Sequence, residues 1–203
     1  MQHWTQADYR SMPWKNGGGS TTELAIFPAD ATLDNFDWRI STALVTGSGP
    51  FSHFAGIDRS LAVLEGSMRL SSLEQELGML TPDSPLCRFA GELSLHAELY
   101  SAWVLDLNVM SRRQRYSHYV QRLSGEMHEI DLPDARQCLL YCVHGGAKLH
   151  SAAQDVVVTL QAGELLMLDA GAGDILRFQL SSGADSLLYL IRFSPNGDPH
   201  YAA

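Results

Sequence analysis

The sequence predicts an all-β protein, and three observations predict it. Short apolar segments alternate with a period of two. Glycines punctuate the joins between them, and almost no segment shows the 3.6-residue period of an amphipathic helix. The 203 residues are 45% hydrophobic and only 18% charged, enough apolar material for one large or two small cores and too little charge for a disordered chain.

The first strand signal is "WRISTALV" (38–45). Alternation places Trp38, Ile40, Thr42 and Leu44 on one face and Arg39, Ser41, Ala43 and Val45 on the other. "RSLAVLEG" (59–66) and "SMRLS" (67–71) read as strand, glycine break, strand. "SAWVLDLNVM" (101–110) alternates again, with Trp103, Leu105, Leu107 and Val109 opposed to Asp106, Asn108 and Met110. "RRQRYSHYVQRL" (112–123) is the one segment that suggests a helix. Beyond it, "QCLLYCVHGGAKLH" (137–150) reads as a hairpin around Gly145-Gly146. "DVVVTLQAGELLMLDAG" (155–171) is strand, Gly163 turn, strand, and "DILRFQL" (174–180) and "SLLYLIRF" (186–193) complete the series.

Both halves thus carry a strand, glycine turn, strand unit. "LQAGELLMLDAG" is similar to the hairpin common in cupin barrels, and "RSLAVLEGSMRLS" plays the same part earlier in the chain. The expected architecture is a pair of cupin-like double-stranded β-helix (jelly-roll) barrels, a bicupin. Residues 1–125 form the N-terminal barrel with the candidate ligand pocket, and 126–203 the C-terminal one. "HEIDLPDARQ" (128–137) reads as the connector.

The net charge of −9 argues against a nucleic-acid or anionic-membrane surface, because binding phosphates needs a basic footprint. The positive charge is twelve Arg and two Lys, Lys15 and Lys148, biased toward the planar fork that grips carboxylates. Cys87, Cys138 and Cys142 form no CxxC and no disulfide framework, and Cys138 and Cys142 share a core-facing parity. With no signal-like start and no apolar run of membrane-spanning length, the expected location is the cytoplasm.

"MPWKNGGGSTTELAIFP" (12–28) holds three consecutive glycines. A phosphate-binding loop needs GxxxxGK[ST] leading into a helix, whereas here Lys15 precedes the glycines and β-type residues follow. A tight turn and an anion-contacting pocket rim both remain open for it. Eight histidines include no H-x-H pair with an acidic partner, so no metal is expected, and no nucleophile motif supports hydrolysis. The polar faces carrying Arg39 with Ser41, and Asp106 with Asn108, could supply guanidinium and amide partners to a small acidic ligand. Arg59 and Arg112 lie nearby in sequence; half-exposed alternation is the plain alternative.

"PWKNGGGSTTELAIFP", "WRISTA", "GPFSHFAGIDRSLAVLEG" and "DLNVMSRR", in that order over roughly 12–113, resemble the HutD/Ves family of small bacterial bicupins. The resemblance implies shared residues at Trp14, Lys15, Asn16, Gly17, Gly18, Gly19, Glu23, Phe51, Glu65 and Met110 as structural or rim positions. It implies ligand contacts from Lys15, Asn16, Arg39, Ser41, Asp58, Arg59, Asn108 and Arg112. It further implies a non-enzymatic regulator or sensor of histidine utilisation that needs no cofactor. Its partner would be a small carboxylate of the N-formylglutamate, glutamate or urocanate class, and a homodimer is allowed. Two other classes stay open. One is a metal-free or weakly metal-dependent cupin isomerase or hydrolase with Glu23, Asp58 or Glu65 as base. The other is a protein-interaction module with no small ligand.

Overall fold

The computed structural model describes residues 1–72, 76–125, 127–132, 137–151, 156–168, 176–183 and 185–196. Its strands, in chain order, are β1 (Gln2–Trp4), β2 (Arg10–Pro13), β3 (Gly19–Phe27), β4 (Trp38–Val45), β5 (Gly49–Pro50), β6 (Ile57–Glu65) and β7 (Met68–Ser71). They continue with β8 (Glu76–Leu80), β9 (Cys87–Ala90), β10 (His96–Leu99), β11 (Val104–Arg112), β12 (Tyr116–Ser124) and β13 (Met127–Leu132). The last six are β14 (Gln137–His144), β15 (Gly146–Ser151), β16 (Val156–Gln161), β17 (Leu165–Leu168), β18 (Leu176–Ser182) and β19 (Leu187–Pro195). Among the described residues the only helical element is one 3-10 turn, Gln6–Asp8, and no helix is long and apolar enough to cross a membrane.

The chain divides into two compact units, one of residues 9–117 and the other of residues 1–8 with 118–203. In the first unit a six-stranded sheet runs β2-β3-β4-β11-β6-β9 and a four-stranded sheet runs β5-β10-β7-β8. In the second, a five-stranded sheet runs β1-β17-β14-β19-β12 and a four-stranded sheet runs β13-β18-β15-β16. Among the described residues each unit is therefore built from two sheets that do not close, where closed barrels were expected. β1 and β12, placed by the sequence within residues 1–125, pair here with β17 and β19 respectively.

Each pair of sheets encloses an apolar core drawn from both members. In the first unit Ala43, Val45, Leu61, Val63 and Val104 of the large sheet meet Met68, Leu70, Leu80 and Ala97 of the small one. In the second, Cys138, Leu140, Cys142, Leu166 and Leu188 meet Ile130, Ala147, Leu149 and Leu160. Cys138 and Cys142 thus both face one core, as their parity predicts. The two faces predicted for 38–45 hold as well: β4 and β11 align Ser41 with Asn108 and Arg39 with Met110.

Two readings are corrected. The segment 112–123 is a turn at Arg112–Arg115 followed by β12, not a helix. Tyr116, His118 and Val120 alternate with more exposed residues, and the strand finds its partner in β19. The segment 137–150 is two strands around a glycine, but they do not form a hairpin: β14 pairs with β17 and β19, and β15 with β16 and β18. The glycine there turns a corner between sheets. Part of the 128–137 connector (133–136) lies outside the described residues, as do 152–155 and 169–175 of the later strand segments.

Candidate functional site

The inner face of the six-stranded sheet in residues 9–117 holds a polar cluster inside an otherwise apolar core. Strand register assembles it. Glu23 on β3 stands opposite Ser41 on β4, which stands opposite Asn108 on β11. One same-face step along, Arg39 on β4, Met110 on β11, Arg59 on β6 and Phe89 on β9 form a second row. In the other direction, Asp106 lies between Ala43 and Val63, beside a bulge where β6 and β11 shift register. Arg39, Ser41, Arg59, Asp106 and Asn108 are all buried.

Buried charges need partners, and the two arginines are partnered unequally. Arg39 Nε donates to Glu23 Oε2 at 2.7 Å and Nη1 donates to Ser41 Oγ at 3.2 Å. Arg59, 5% exposed, meets no carboxylate at ion-pair distance among the described residues; Nη1 donates to the Ser52 carbonyl at 3.0 Å and Nε reaches Asn108 Oδ1 at a long 3.4 Å. Its guanidinium instead sits 5.0 to 5.4 Å from the ring centroids of Phe51, Phe54 and Phe89. Such a cage holds a cation through the negative ring faces without neutralising it. Burial lowers the Arg59 pKa to about 10, so it keeps its charge at neutral pH.

Asp106 is the buried carboxylate of β11 on this face. Burial pushes its pKa up to about 7, with attraction to Arg59 opposing. Its Oδ1 is buried and has no hydrogen-bond partner among the described residues.

The sequence-predicted contacts separate into two groups. The structure brings Arg39, Ser41, Arg59 and Asn108 together, with Glu23 and Phe51 beside them. Asp58, Arg112, Lys15 and Asn16 lie elsewhere. Asp58 accepts from Arg113 Nε at 2.7 Å on the surface, next to the Arg113–Glu92 pair. Arg112 clamps a loop, donating from Nε to the Phe36 carbonyl and from Nη2 to the Asp34 carbonyl, both at 2.9 Å. Lys15 and Asn16 are exposed in the turn joining β2 to β3, where the Gly17 amide donates to the Trp14 carbonyl and the Gly18 amide to Asn16 Oδ1. The triple glycine is thus first a turn. A side chain on Gly19 would strike the Leu44 carbonyl of the adjacent strand. Trp14 packs on the core and its indole donates to Thr21 Oγ1 at 2.8 Å. Met110 is buried with Phe36 and Ile57, and Glu65 is exposed at the end of β6.

The ligand contacts implied by the family resemblance omit Asp106, Phe54 and Phe89. For Asp106 a signal existed, since it shares Asn108's parity. For the phenylalanines there was none, because β9 and the 51–56 loop meet Arg59 only in the folded sheet. Among the described residues no group of three His, Cys, Asp or Glu side chains could hold a metal ion.

Two facing open sheets around a partly polar core define an all-β protein of the kind found among cupins. The Cupin 2 conserved barrel domain protein of Leptotrichia buccalis superposes with a TM-score of 0.55 at 8% identity, over 91% of this chain and 96% of that one. A Lactobacillus farciminis oxalate decarboxylase formate complex does so with a TM-score of 0.64 at 11% identity, over 95% and 85%. These are likenesses of fold alone. Within that fold class the chain belongs to the HutD family, whose model matches residues 6–188.

Its relatives agree. A 21.2 kDa uncharacterized protein in the hutC 3′ region of Pseudomonas putida is 35% identical over 184 residues, 90% of this chain and 87% of the relative. Protein Ves of Citrobacter koseri is 40% identical over 113 residues, 53% of this chain and 58% of that protein. HutD from Pseudomonas fluorescens SBW25, solved in a formate condition, superposes with a TM-score of 0.81 at 29% identity, over 97% and 99% of the two chains.

Proposed function

We propose that the protein is a bicupin that binds a small carboxylate in residues 9–117 and acts as a non-enzymatic sensor in histidine utilisation. One observation carries the reading. Arg59 is a buried cation held by three aromatic rings, a carbonyl and an amide oxygen, with no carboxylate at ion-pair distance among the described residues. A planar fork so placed is suited to the bidentate grip of a carboxylate. Asn108 and Ser41 add amide and hydroxyl groups beside it. The hutC-region relative supports the pathway. N-formylglutamate, with two carboxylates and a formamide, fits the class, as do glutamate and urocanate.

Calorimetry and thermal shift with formate and these three metabolites test the reading. At least one should bind and raise the melting temperature at millimolar concentration. Arg59→Ala should weaken it by roughly tenfold or more, the scale of a lost charge-assisted hydrogen bond. No stabilisation by any of them, or unchanged affinity in a folded Arg59→Ala protein, would sink the reading.

A further inference from the structure

We infer that Asp106 is the proton-carrying partner of the Arg39–Arg59 cluster, so that a carboxylate monoanion and one proton enter the site together. This rests on the carboxylate site proposed above and names how that site is regulated.

The first support is charge balance within a buried set. Arg39 and Arg59 contribute two positive charges and Glu23, paired with Arg39, contributes one negative charge. Asp106 decides the remainder. With Asp106 ionised the cluster sums to zero, and an incoming anion would leave a buried net negative charge. With Asp106 protonated it sums to plus one, which one carboxylate neutralises. Uncompensated charge in a dry interior is costly, so the Asp106 carboxylate and the ligand carboxylate are alternatives.

The second support is the hydrogen-bond record of Asp106 itself. Its Oδ1 is buried and receives no donor among the described residues. The ionised form therefore leaves at least one of its oxygens without the hydrogen bond that would hold it. The protonated form gains an O–H donor, the state in which a buried carboxylic acid can serve an anion. The surroundings supply few competing charges. On the same sheet face stand Arg59 of β6, Arg39 of β4 and Glu23 of β3. The thiol of Cys87, on β9 of the same sheet, lies opposite Leu61, and the elements packed over that face add Met68 and Leu70 of β7, Leu80 of β8, Ala97 of β10, and Leu95 just before β10. Burial raises the Cys87 pKa, keeping that thiol neutral. Burial pushes the Asp106 pKa up to about 7, where proton exchange is accessible.

The coupled step is simple. Ligand carboxylate, ionised Asp106 and one solvent proton give a complex holding the ligand anion and the neutral acid; no covalent bond of the ligand changes.

The full-length protein should be titrated with sodium formate from about pH 5.5 to about pH 8.5, where formate stays anionic. Two buffers with different heats of ionisation then count the protons. Affinity should be flat at the acid end and fall roughly tenfold per pH step above about pH 7, with close to one proton taken up per formate there. Asp106→Asn, neutral at every pH, should bind formate with no pH slope. Wild-type binding that is independent of pH and takes up no proton would overturn the coupling while leaving the site standing. A pH slope retained in Asp106→Asn would do the same. No binding by wild type at any pH, with formate or the three metabolites, would overturn the carboxylate reading and the coupling with it. If Asp106→Asn does not fold, the wild-type proton count decides alone.

Discussion

Asp106 matters even without a ligand. A carboxyl that ionises near pH 3.8 in the unfolded chain and about pH 7 in the folded one resists ionisation only when folded. Its contribution to stability is complete below the unfolded value and is lost as pH rises toward 7. Surface acids act oppositely: Arg113 holds Glu92 below its usual range, and such groups weaken the fold on acidification. The absolute melting curve mixes both, so the informative quantity is the difference between wild type and Asp106→Asn. That variant should gain melting temperature over wild type as pH is raised from about 4.5 to about 7.5. A constant difference across that range would mean that Asp106 is not forced neutral by the fold. The rest of the cluster shows what residue-level reading can reach. Alternation alone put Arg39 with Ser41 and Asp106 with Asn108, since strand parity is local. Which of two such faces turns inward depends on partners distant in sequence, and so does the fate of a guanidinium. Arg112 and Arg59 have the same fork, yet one holds the carbonyls of Asp34 and Phe36 while the other is caged by Phe51, Phe54 and Phe89.

At the scale of elements, both units use one device. β6 lies in the six-stranded sheet and β7 in the four-stranded one; β14 lies in the five-stranded sheet and β15 in its four-stranded partner. Gly66 and Gly145 make the two corners, with φ of 82° and 75°. A side chain on Gly66 would strike the Trp103 carbonyl, and one on Gly145 would strike Ser186. Gly17, with φ of 72°, has open space around it. Gly66→Ala and Gly145→Ala should each therefore destabilise by about 2 kcal/mol or more, against about 1 kcal/mol for Gly17→Ala, measured by urea unfolding. Equal losses at all three would show that backbone conformation alone, and not the close approach, sets the cost. The strands flanking these corners were legible because period two is written locally. The join at 145 was misread as a hairpin because a positive-φ glycine serves a hairpin turn and a sheet-to-sheet corner equally well. Only the pairing of β15 with β16 and β18, set far along the chain, separates the two. Likewise the polar 112–123 segment lacks the apolar neighbour that reveals it as a strand until β19 arrives.

At the scale of the whole chain, a net charge of −9 repels an anionic metabolite at long range, so any preference for carboxylates must be built locally around the buried arginines. The division of the chain makes that locality testable. Residues 1–8 do not join the unit that follows them; Gln2–Trp4 extend the five-stranded sheet of the other unit, opposite Leu165–Met167. His3 Nε2 also meets Glu164 Oε2 at 3.0 Å. Deleting residues 1–8 strips an edge strand and exposes the backbone groups of β17, at a cost of roughly 1–3 kcal/mol to that unit. Every side chain of the Arg39–Arg59 cluster lies within residues 9–117. The truncated protein should therefore melt earlier while binding formate within about twofold of the full chain, a difference well under one tenfold step in affinity. Calorimetry at a temperature where both units are folded separates the two effects. A loss beyond about tenfold in that folded state would mean that part of the site is supplied from outside residues 9–117.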